Sequence, residues 1–137
     1  MSRNSRTILA ALSYPVLSLP LAGIWHMVIF ASIYRETGAM SRPEPLIAFG
    51  LLSMIIQGIV LAHLYSRWYR GGTPLLSGIV FGLVAQALIH SVLAFSKVGE
   101  MDINPVATYL SHALPFYLVQ AVVTGAAIGL IFGRNTD

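Results

Sequence analysis

Four long stretches of this chain contain no Asp, Glu, Lys or Arg: Thr7–Tyr34, Pro45–Ser66, Gly71–Ser96 and Ile103–Gly133. A helix needs about 20 predominantly apolar residues to cross a hydrocarbon core ~30 Å thick, and each stretch is longer than that. A transmembrane barrel would instead alternate polar and apolar residues with a period of two, a pattern these stretches lack. The expected fold is all-α: an integral membrane, up-down-up-down four-helix bundle forming one domain over 1–137. The rise and length of a spanning helix place its helices at about 8–34, 45–67, 73–97 and 104–132. The first stretch also follows two arginines, but it is too long for a signal-peptide core of roughly 7–15 residues and is expected to stay as a first span.

Composition supports the same conclusion. Charged residues make up 9% of the chain and hydrophobic ones 56%, whereas a soluble domain carries about 25% charged residues. A soluble globular enzyme and a disordered tail are both excluded on that ground, and no polar stretch is long enough for a large extramembrane domain. There is no cysteine, so disulfides, thiolate metal sites and redox thiols are absent.

The eight basic and five acidic residues lie between and outside the stretches. Arg3, Arg6, Arg67, Arg70 and Arg134 fall on the side of the two termini. Arg35, Arg42 and Lys97 fall on the other, together with Glu36, Glu44, Glu100 and Asp102. Positively charged residues favour the cytoplasmic side, so both termini are expected in the cytoplasm. The basic residues form no single patch of the kind that binds nucleic acid, and the expected surroundings are a lipid bilayer with anionic head groups. A homodimer, or a place in a larger membrane complex, is open.

The connections carry stop and start signals. Gly38 is expected to end the first helix and Pro43 and Pro45 to restart the chain. Thr73-Pro74 is expected to cap and open the third helix, Gly99 to end it, and Asn104-Pro105 to open the fourth. Tyr65, Trp68 and Tyr69 at one end and Tyr34 and Tyr109 at the other are expected at the head-group level. Gly78 and Gly82 on the third helix, and Ala121, Gly125, Gly129 and Gly133 on the fourth, recur at spacing four. Such small residues allow close helix packing, within one chain or between copies.

Polar residues inside the spans supply the candidate site. Counting ~1.5 Å per residue from each midpoint puts Gln57, Gln86 and Gln120 near the midplane. The same count puts His26, His90 and His112 roughly 7–10 Å toward the outer face, and His63 at the opposite level beside Arg67. The plainest role for the glutamines is interhelical hydrogen bonding, and for each histidine a neutral ring bonded to a backbone carbonyl or an amide. Ionisable side chains in a membrane are rare and often mark function. His26, His90 and His112 are therefore candidate cofactor ligands, for a haem or a divalent metal, with Gln86, Gln120 and Trp25 lining the same pocket. Pro15, Pro20 and Pro115 each free a carbonyl one turn back, that of Ser111 lying next to His112.

Chemistry beyond binding finds little support. No carboxylate lies inside a span, which argues against proton-for-cation exchange. No G-x-S-x-G, H-E-x-x-H or paired intramembrane Asp is present, and Ser91 beside His90 is a poor triad signal.

The segment Trp25-His26-Met27-Val28-Ile29-Phe30-Ala31-Ser32-Ile33-Tyr34-Arg35 resembles the Trp…Phe…Tyr signature of small four-helix bacterial membrane families of unknown function. Gly78–Gly82 and Gly125–Gly129 are similar to the glycines of their third and fourth helices. The resemblance implies a bacterial cytoplasmic (inner) membrane and brings no activity with it. The expected protein is thus a multi-pass inner-membrane protein, non-enzymatic, with a His/Gln pocket in its outer half. Alternatives are a haem- or metal-binding redox subunit and a small-solute or proton transporter.

Overall fold

The computed structural model describes residues 2–133; Arg134 and Asp137, which enter the charge balance, lie outside the described residues. All regular structure among these residues is helical. Helix α1 spans Arg3–Gly23 and passes into a π-helical segment, Ile24–Ile29; α2 spans Ala31–Glu36, α3 Ile47–Trp68, α4 Pro74–Glu100 and α5 Val106–Gly133. Arg3–Ile29, α3, α4 and α5 are each long and apolar enough to cross a membrane.

The first apolar stretch is therefore not one uninterrupted α-helix. It keeps α geometry through Pro15 and Pro20, then widens. The N–H of Phe30 reaches back five residues to the carbonyl of Trp25 at 3.0 Å, and Phe30 itself leaves the helical region before α2 resumes. Pro20 has no N–H to give, and the irregular turn follows one turn later, as is common where a helix has lost a ladder bond. At the end of α2, Gly38 adopts φ +77°, a left-handed conformation that glycine enters without a Cβ penalty, and the chain reverses there as expected. Thr73 does precede α4 with Pro74 in its first turn, although the threonine side chain makes no capping bond. Gly99 is the exception: it lies inside α4, which runs on to Glu100.

Helix α1 sits between α3 and α5, and α4 packs on the other flank of α5, while α3 and α4 scarcely meet. The α4/α5 seam is the tightest. Gly78 lies against Gly125 and Gly129, and Gly82 against Ala121 and Gly125, so close that a Cβ on any of these glycines would collide with the facing main chain. The glycine stripes are thus used within the chain. At the α1/α3 seam Gly58 lies against the carbonyl of Ala11, the one left without an N–H donor by Pro15.

Two cores result. One, near the end that carries the N-terminus, joins Ala10, Tyr14, Leu61, Tyr65, Ile128 and Phe132. The other, at the far end, joins Tyr34, Ala39, Ile103, Tyr109 and Ala113 under the connections. Tyr65, Tyr34 and Tyr109 are 0%, 3% and 1% exposed, so their rings face the interior of the bundle and not its outer surface. Their rings pack inward on Phe81, Phe132 and one another, whereas Trp68 stays half-exposed.

Candidate functional site

The middle of the molecule is organised by a tyrosine. Tyr14 on α1 is wholly buried. Its hydroxyl donates to Gln57 Oε1 on α3 at 2.8 Å and accepts from Gln86 Nε2 on α4 at 2.6 Å. A third amide, Gln120 Nε2 on α5, approaches it at 3.4 Å. All four long helices meet at this one oxygen, and the interhelical bonding expected of the glutamines is what they do. The signal for Tyr14 was its position: a tyrosine half-way along an apolar stretch has to find a hydrogen-bond partner when it is buried.

Two buried atoms on this side of the molecule are left without a partner on α4, Gln86 Oε1 and His90 Nδ1, and one on α1, Ser18 Oγ. Gln86 and His90 both line a groove of about 330 Å³ between α4 and α5, with Leu83, Phe95, Leu114 and Tyr117 among its apolar walls. The His90 ring lies flat on Tyr117, centroids 3.9 Å apart and planes within 9°.

The other two histidines are placed differently. His26 follows the π turn, and its Nδ1 lies 3.0 Å from the carbonyl of Ala22, four residues back. Its ring packs on Tyr34 and edge-on to Phe116, and it lines a separate groove of about 440 Å³ between α1 and α3. His112 Nδ1 lies 2.8 Å from the carbonyl of Thr108, again four residues back, and its ring meets Phe30. Trp25 Nε1 donates to the carbonyl of His112 at 3.2 Å, next to the carbonyl freed by Pro115.

The six residues expected to share one pocket are therefore distributed. Gln86 and His90 lie together in the α4/α5 groove. Gln120 belongs to the Tyr14 centre, His26 to the α1/α3 groove, and Trp25 and His112 to an aromatic layer between α1 and α5. Ring contacts run from His90 through Tyr117 and Phe116 to His26. Others run from Phe116 through Trp25 and Phe30 to His112. Among the described residues no group of three or more His, Cys, Asp or Glu gathers as a metal ion requires. Tyr117 is the further residue missed: its partner His90 is on another helix, and spacing along one helix carries no trace of that pairing.

At the far end the connections are bonded to one another. Lys97 Nζ donates to the carbonyl of Ala39 at 3.0 Å, and the N–H of Asn104 donates to the carbonyl of Thr37 at 3.1 Å. These bonds tie the last turn of α4 and the α4–α5 connection to the α2–α3 connection, next to the buried Tyr34 and Tyr109.

No protein-family model, no curated protein and no solved structure matches the chain.

Proposed function

We propose that this chain is a non-enzymatic multi-pass protein of a bacterial cytoplasmic membrane. Its four spans run up-down-up-down with both termini in the cytoplasm, and its α4/α5 groove holds an amphiphile drawn from the bilayer. The ligand has an apolar body and a small hydrogen-bonding head, hydroxyl or amide, that reaches Gln86 Oε1 and His90 Nδ1 once these buried side chains turn toward the groove. The observation that carries this reading is the pair of buried, unpartnered polar atoms four residues apart on two residues that line one mostly apolar groove. A buried polar group left unpaired costs about 1–3 kcal/mol, so a partner supplied from outside the chain is favoured. Antiparallel spans fit the contacts: Arg3 pairs with Ser66 and Tyr14 with Gln57, and Gly78 meets Gly129 while Gly82 meets Gly125.

The redox alternative needs imidazoles that converge, and here each is met by its own backbone carbonyl or by an aromatic ring. The transport alternative needs a polar path through the outer half, where the buried Tyr34, Ile103 and Tyr109 lie.

The test is the organic extract of the purified protein, analysed by mass spectrometry. A stoichiometric hydroxyl- or amide-bearing amphiphile is expected in the native protein and lost in His90→Phe, which keeps the ring on Tyr117. Gln120→Leu disturbs the Tyr14 centre without lining the groove and is expected to retain it. The same extract from native protein and His90→Phe would refute the reading.

A further inference from the structure

We infer that the end of the bundle opposite those connections carries a binding site for the phosphate of an anionic phospholipid, formed by Arg3, Arg6, Arg67 and Arg70 with its acyl chain laid along α1 and α3. The inference rests on the membrane reading above but not on the α4/α5 groove.

Two clefts adjoin at this end. One, of about 530 Å³, lies between the start of α1 and the end of α3 and is lined by Arg3, Asn4, Thr7, His63 and Arg67. The other, of about 380 Å³, is lined by Arg3, Arg6, Tyr69, Arg70 and Phe132. They share Arg3 and Ser66. Arg3, Arg6 and Arg67 are held in place by neutral groups. Arg3 donates to the carbonyl of Ser66 at 2.6 Å, Arg6 to the carbonyl of Phe132 at 3.0 Å, and Arg67 meets His63. Each guanidinium has five donors, so most remain to be used, and Arg6 Nε is buried with no partner at all.

No counter-charge balances them among the described residues. Glu36, Glu44, Glu100 and Asp102 all belong to the far end, at the close of α2 and α4 and in the connections there. Four positive charges around concave clefts, three of them held by hydrogen bonds, favour an anion, and guanidinium suits phosphate because its paired donors match the oxygens.

A phosphate anion would satisfy these arginines whether free or esterified. The neighbouring surface favours the lipid. Thr7, Ile8 and His63 line the basic cleft and also line a groove of about 270 Å³ that continues between α1 and α3 past Leu12 and Ile59. That groove is apolar and leads from the phosphate position along the spans, as an acyl chain would.

The experiment uses full-length protein in detergent, titrated with phosphatidylglycerol, phosphatidylcholine or inorganic phosphate and read by native mass spectrometry and thermal shift. Phosphatidylglycerol is expected to bind several-fold more tightly than phosphatidylcholine. Arg67→Gln and Arg70→Gln, both on exposed side chains, are expected to weaken it by about five-fold each. Ile59→Trp, which fills the apolar groove, is expected to weaken phosphatidylglycerol further. Equal binding of the two lipids, or no change in the arginine variants, overturns the site. Inorganic phosphate binding as tightly as phosphatidylglycerol, with Ile59→Trp silent, overturns its assignment to lipid. Alkaline extraction of the source membranes is run in parallel: a chain released with soluble protein fails the membrane reading itself, whereas a retained chain without head-group selectivity fails only this inference.

Discussion

A tyrosine hydroxyl donates one hydrogen bond and accepts two, and Tyr14 has a glutamine amide for each. Removing that oxygen strands several amide groups in an apolar interior. Tyr14→Phe is expected to lower stability by about 1–3 kcal/mol, more than the ~0.6 kcal/mol of an average interhelical bond. Unfolding in mixed detergent measures it, and a change no larger than that of Gln57→Leu would show that the centre is not shared. At this scale the amides were legible from sequence because a carboxamide in a charge-free run has to find a partner. Tyr14 was not, because tyrosine is usually read as an interface residue. Depth along a helix was also legible; direction around it was not. His26, His90 and His112 were assigned one level, yet the π turn after Pro20 and the pairing of His90 with Tyr117 send them to different seams.

The helices themselves differ in what they tolerate at glycine. A Cβ at Gly82 would meet the main chain of Ala121 and Gly125, and neither backbone yields cheaply, whereas Gly99 has open space around it. Gly82→Ala is expected to destabilise the fold by roughly 1–3 kcal/mol through overpacking. Gly99→Ala is expected to be neutral or to stabilise by up to about 1 kcal/mol through helix propensity. Thermal unfolding of the two variants side by side checks both. The stripes Gly78–Gly82 and Gly125–Gly129 were legible as contact faces because their spacing is that of one helix side. Whether they served one chain or two was not, since a seam between copies uses the same spacing. The end of α4 was misplaced at Gly99 because glycine marks a helix stop only when the chain needs a left-handed residue there, as it does at Gly38.

As a whole the molecule is two helix pairs, α1 with α3 and α4 with α5, joined along α1 and α5 and bridged by Tyr14. The link between the pairs in the chain is the Gly71-Gly72 turn, both residues at positive φ with open space around them. Fragments Met1–Arg70 and Gly71–Asp137, made separately in one cell, are therefore expected to co-purify when only one is tagged, and Tyr14→Phe is expected to weaken their association. Helices that never associate would show that the turn, not the seam, holds the pairs together. The number of apolar helices could be read from charge-free lengths, but their neighbours could not, because helices that are apolar on every side carry no apolar stripe that marks the contact face. The placement of α1 between α3 and α5 has a consequence for biogenesis. The helix synthesised first obtains its second neighbour only when the last one emerges. During translation the Tyr14 hydroxyl has Gln57 alone until α4 and α5 follow. A nascent chain stalled before Gln86 would lack both amides that donate to that hydroxyl, so the polar centre is completed only once the whole chain has been made.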